Sequence, residues 1–142
     1  MKKQLPLETI EKWLKDNDWH VRQAAMNWYK AAGLPIPLVR TIEPPDKVYK
    51  KCVGGVIVIA EVPDDAQVRG SVGSKCRTNK AKIVDIIGTL GGEPVGISTY
   101  DKRTAYFIGD DVEIDDFDYS DEKCSQGYHF FCTLQEAKDY RS

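Results

Sequence analysis

No apolar run in this 142-residue chain approaches the roughly 20 residues that a helix needs to cross a bilayer. The N-terminus starts basic, but Glu8, Glu11 and Lys12 leave no apolar stretch behind it, which excludes a secretory signal from the reading. An excess of one charge is missing too. Twenty Lys and Arg against 22 Asp and Glu give a formal net charge of -2, so no global field draws the chain to nucleic acid or to a membrane. Histidine is scarce, with only two residues, and the four cysteines (Cys52, Cys76, Cys124, Cys132) contain no CxxC pair. Four convergent zinc ligands are therefore not to be had from Cys124, His129 and Cys132, and no cofactor is expected. These absences describe a cytosolic chain with reduced thiols and no nucleophile–base–orienter set, hence a protein expected not to be an enzyme.

What is present falls into three parts: residues 1–33, a linker at 34–46, and residues 47–142. Leu7, Ile10 and Leu14 form one helical stripe over Leu7–Lys15. Asp18 is placed to cap a second helix starting at Trp19, with Val21, Ala24, Ala25, Trp28 and Ala32 on its apolar side. Gly33, Pro35 and Pro37 end it, giving an αα-hairpin. Four prolines between Leu34 and Asp46 predict an extended connector with no ordered element of its own.

From Val48 the period changes to that of strands. Val48–Val53 and Val56–Val62 flank the turn Gly54-Gly55, and the second is apolar enough to be central. Further strands are expected at Lys82–Ile87, in a hairpin of Val95–Ser98 with Ala105–Ile108, at the edge segment Val112–Ile114, and at Tyr128–Cys132. Thr133-Leu134-Gln135-Glu136 reads as a capping box opening a last helix. The fold class is α+β: a helical hairpin, then a mainly antiparallel β domain with a C-terminal helix.

The stretch Asp18–Asn27, D-W-x-V-R-x-A-A-M-N, resembles one unit of a HEAT-like helical repeat of a kind found in phage and prophage proteins. A lone unit cannot bury its apolar face, so the hairpin must pack on the rest of the chain, on a second copy in a homo-oligomer, or on a partner. The remainder is similar to a β-rich domain at the ends of phage proteins and of pentapeptide-repeat proteins. That similarity rests on Tyr49–Cys52, Gly73–Ala81 and Cys124–Phe131, the last block also resembling the C-S-x-G-L-H motif of phage rII-type proteins with Tyr128 in place of Leu. The resemblance implies a phage-type accessory protein and no mechanism.

One segment carries a chemical suggestion. Between Asp65 and Asp85 there is no acid, while Arg69, Lys75, Arg77, Lys80 and Lys82 alternate with Gly, Ser and Thr. That is the composition either of a solvated loop or of a phosphate-binding loop, in which small residues admit an anion to backbone N–H groups and cations hold it. It is not a Walker A motif, because Ser74 precedes Lys75 and Cys76 follows it. The ligand-binding set predicted on this ground is Arg69, Lys75, Arg77, Thr78, Asn79, Lys80 and His129. The acidic run Asp110–Glu122 lacks the EF-hand spacing and reads as a surface loop that faces the basic segment or mimics nucleic acid toward a basic host protein. Two functions follow: a non-enzymatic phage-type protein sequestering a small nucleotide-like anion as an anti-defence sponge, or an adaptor that inhibits a host protein through the hairpin and the acidic run.

Overall fold

In the computed structural model, which describes residues 4–141, the first helix, α1, spans Leu7–Trp13 and the second, α2, spans Trp19–Ala32. The Asp18 side chain accepts from the His20 backbone N–H at 2.9 Å, leaving one fewer orphan donor at the start of α2. Gly33 closes it in the left-handed region (φ 66°), with the Leu34 N–H returning to the Tyr29 carbonyl. The buried residues of α2 are Ala25, Met26 and Tyr29. The stripe is thus rotated from the one expected, leaving Ala24 and Ala32 exposed. Single methyl groups have little apolar area to hide, whereas Met26 and Tyr29 have much.

The β domain is mainly antiparallel, as expected, with one parallel bridge between Arg40 and Val68. A four-stranded sheet runs in the order β1 (Val48–Lys51), β2 (Ile57–Glu61), β5 (Lys80–Ile87), β8 (Asp111–Glu113). A three-stranded sheet has β4 (Cys76–Thr78) between β3 (Val68–Arg69) and β9 (Tyr128–Phe130). The hairpin β6 (Gly96–Ile97) and β7 (Ala105–Tyr106) stands apart as a pair. Tyr49 and Phe131 exchange backbone hydrogen bonds of 2.9 and 2.7 Å, which joins β1 to the end of β9 and so ties the two larger sheets together.

The core between them holds Val48, Val58, Val68, Cys76, Ile83, Tyr106, Tyr128 and Phe130. The last helix, α3 (Leu134–Asp139), buries Ala137 beside Ile57 and Phe131. Its Thr133 cap accepts from the Glu136 N–H at 3.2 Å, but the return bond differs from the capping box: the Thr133 hydroxyl meets the Glu136 carboxylate at 2.8 Å.

Two sequence expectations are corrected here. The linker is ordered in its middle: the Thr41 N–H bonds the Val68 carbonyl (3.0 Å), the Val68 N–H bonds Val39 (3.1 Å), and the Gln67 side chain holds Val39 N–H and the Pro37 carbonyl. Backbone groups of β3 need partners on both sides, and this segment supplies them. The glycine-punctuated arc Arg69–Lys82 is likewise not a loop, since it contains the end of β3, all of β4 and the start of β5.

Most of the apolar face of the helical hairpin is covered by the same chain, while Leu7 and Trp19 stay exposed. Ile10, Leu14, Ala25, Met26 and Tyr29 cluster with Phe117 and Tyr119, the two aromatic residues of the acidic run. No helix among the described residues is long and apolar enough to cross a membrane.

Candidate functional site

Every residue of β3 and β4 is buried, and the pleat puts Arg69 and Arg77 together on the face opposite Val68, Cys76 and Thr78. Arg77 is 1% exposed. Its guanidinium donates to four backbone carbonyls: Glu122 (2.7 Å), Ser120 (2.6 Å), Gln126 (3.0 Å) and Asp118. Phe117 lies under it, with the ring centre 4.9 Å from the guanidinium carbon. Arg69 is buried as well and donates to the carbonyls of Tyr119 (3.2 Å), Val68 (3.1 Å) and Val39. The acidic run therefore does wrap the basic segment, but with its peptide oxygens rather than its carboxylates. Asp118 is the exception: it pairs with Arg22 at 2.9 Å and accepts from the Ser125 hydroxyl and the Ser120 N–H. Those bonds hold its carboxyl below the usual range despite burial, which acts the other way.

The predicted ligand set is consequently divided. Arg69 and Arg77 are spent inside the fold. Thr78 is buried, its hydroxyl bonded to the Lys80 carbonyl at 3.1 Å, and the Asn79 side-chain oxygen accepts from the Gln67 N–H at 2.8 Å. Lys80 is paired with Asp65 at 2.8 Å. These five do not converge on a common hollow. Lys75 and His129 do.

They line a hollow of about 300 Å³ together with Lys50, Lys51, Thr99, Tyr100, Cys124, Phe131 and Tyr140. Lys50 sits on the inward face of β1 with Val48, and is only 9% exposed. Its ammonium lies 3.4 Å from the His129 carbonyl, 5.1 Å from the centre of the Tyr128 ring and 5.9 Å from that of Tyr106. None of the ion pairs among the described residues includes Lys50, Lys51 or Lys75. Lys51 caps the end of α3 by donating to the carbonyls of Lys138 (3.3 Å) and Tyr140 (2.8 Å). Lys75 reaches the Tyr140 hydroxyl at 3.2 Å and stands 5.1 Å from that ring's centre.

Burial pulls the Lys50 amine down to about 8; the Cys52 thiol opposes this and the Lys75 charge adds to it. Burial also pulls His129 down to about 4, helped by Lys50, Lys75 and Arg77, so the imidazole is neutral near pH 7. The His129 Nε2 atom has no hydrogen-bond partner. Tyr100 stands edge-on to His129 with ring centres 6.4 Å apart, at the tip of the β6–β7 hairpin. That tip is held by the Ser98 hydroxyl, which accepts from the N–H groups of Tyr100 (3.2 Å) and Asp101 (3.1 Å).

Chemically, the hollow offers three ammonium groups with no carboxylate partner among the described residues, a neutral imidazole and aromatic rings. That is an anion site with faces for a planar group. Among the described residues no three His, Cys, Asp or Glu side chains gather to hold a metal ion. Sequence reasoning missed Lys50, Lys51, Tyr100 and Tyr140. For Lys50 there was a usable signal, a lysine between Val48 and Cys52 on the apolar phase of a strand.

Comparison with known proteins returns a family model over residues 40–137, described as a family of unknown function, DUF5758. No curated protein and no solved structure matches the chain.

Proposed function

We propose that this chain, which belongs to the DUF5758 family across its β domain, binds a small anion with a planar, nucleotide-like portion and does so without turning it over. The observation that carries the reading is Lys50, a nearly buried cation facing a hollow with no carboxylate against it. A charge removed from water costs several kcal/mol unless something compensates it. An anion in the hollow would supply the compensation, with Lys51 and Lys75 beside it. Tyr100, Tyr140 and Phe131 offer faces on which a base could rest.

In the phage setting that the sequence resemblance implies, such a protein would act as a sponge for a host nucleotide signal in the host cytoplasm. The adaptor reading has less to stand on, because Phe117 and Tyr119 already cover most of the hairpin's apolar face, with Trp19 and Leu7 left exposed for a partner. The experiment is calorimetry of the full chain with phosphate, AMP, ADP-ribose and cyclic dinucleotides. Binding of at least one, lost in Lys75→Glu, supports the proposal. Silence across the panel overturns it.

A further inference from the structure

The same hollow presents Lys50 in a setting that favours bond formation as well as ion pairing, so this inference rests on the anion-binding reading and deepens it. We propose that Lys50 captures an aldehyde that also carries an anionic group, forming an imine inside the hollow while Lys51 and Lys75 hold the anion. Three features of the geometry carry this. The amine is buried on a strand rather than solvated at the end of a mobile side chain. It faces aromatic rings and one peptide carbonyl, with no carboxylate to keep it protonated. It opens on a space of about 300 Å³, large enough for a small aromatic aldehyde.

Burial and the like charge of Lys75 favour the free amine over the opposing pull of the Cys52 group and of the Tyr106 and Tyr128 ring faces. Lys75 stands nearby as a like charge, and the Tyr106, Tyr128 and Cys52 groups that pack against it are all raised by burial and stay neutral near pH 7. The low basicity of the Lys50 amine agrees with this surrounding. A lysine in such a place is a nucleophile, whereas a solvated lysine is almost wholly protonated. The step balances simply. The nitrogen lone pair adds to the carbonyl carbon, the carbonyl oxygen leaves as water with both amine hydrogens, and C=N replaces C=O.

The test uses pyridoxal 5′-phosphate as probe, an aromatic aldehyde bearing a phosphate. The full chain is incubated with a stoichiometric amount at pH 7.5, reduced with borohydride to fix any imine as a secondary amine, digested and mapped by mass spectrometry. Lys50 is expected to carry at least tenfold more label than exposed lysines such as Lys102, since only the free amine adds to the carbonyl carbon. Lys50→Arg should reduce total labelling to that surface level with unchanged circular dichroism. Labelling spread evenly over exposed lysines, with Lys50 no higher, overturns the inference.

A second arm uses benzaldehyde, which lacks the phosphate. Selective labelling of Lys50 by benzaldehyde without binding of any anion in calorimetry would retain the reactive lysine and remove the anion site. Anion binding without selective labelling by either aldehyde would do the reverse.

Discussion

Lys50 sets the pH behaviour of the hollow. Its folded-state basicity lies below that of an unfolded lysine, about 8 against 10.5, so the folded protein bears the cost of a buried charge at every pH below 8. That cost is relieved as the pH rises from 8 to 10.5, and this one group then makes the protein more stable. Anion binding runs the opposite way, because it uses the protonated amine. Phosphate or nucleotide affinity is expected to be steady near pH 7 and to fall several-fold by pH 9, read by calorimetry at constant ionic strength. A flat profile would remove Lys50 from the site. Arg77 makes a different prediction. Its four carbonyl partners lose their donors together in Arg77→Ala, so the loss should be roughly 3 kcal/mol or more in urea denaturation, and Arg77→Lys, with fewer donors and no planar fork, should recover only part of it. A residue read from the sequence as a ligand is thus a structural clasp. The misreading has a plain cause: composition reports that a cation is present, while the pleat decides which side of the sheet it occupies.

At the scale of elements, the hairpin β6–β7 places Tyr100 only because Gly96 lets the backbone lie against β2. A Cβ built at Gly96 would come within 2.3 Å of Val58 Cγ2 and 3.1 Å of Cys52 Sγ. Val58 is buried and cannot retreat. Gly96→Ala is therefore expected to cost about 1–3 kcal/mol through overpacking, and to weaken ligand binding in parallel as the hairpin tip is displaced. Unchanged melting temperature in this variant would show that the two strands have room to part. The elements that the sequence made legible were those with local chemistry: the Asp18 cap, the Gly33 stop and the start of α3 at Thr133, whereas the expected two-residue turn at Gly54-Gly55 is a longer connection through a 3-10 turn at Val53–Gly55. β3 and β4 went unread because each is two or three residues long and carries Arg or Thr where a buried strand would show aliphatics. Their polar residues are satisfied by the linker and the acidic run, partners far away in sequence that no local pattern announces.

Across the molecule, Phe117 is the joint between the hairpin and the sheets. It is 1% exposed, packs edge-on against Tyr119 with ring centres 5.2 Å apart, lies under both Arg69 and Arg77, and shares a cluster with α1 and α2. Phe117→Ala should cost about 3–5 kcal/mol, and limited proteolysis should then cut within residues 34–46 faster than in the unmodified chain. Proteolysis at the original rate would mean that the hairpin stays docked by other contacts. The sequence did show that the apolar stripe of the helical hairpin requires cover. It gave less indication of the source, since two aromatic residues among eight carboxylates look like part of a solvated loop.

The walls of the hollow are synthesised at very different times. Lys50 and the His129 carbonyl it faces are 79 positions apart in the chain, so Lys50 leaves the ribosome long before the residues that will shut water away from it. During that interval its amine is an ordinary solvated cation, slow to react with any aldehyde it meets. Its unusual chemistry begins when the last segment closes over β1, so the newborn chain is shielded from premature adducts by the order of its own synthesis.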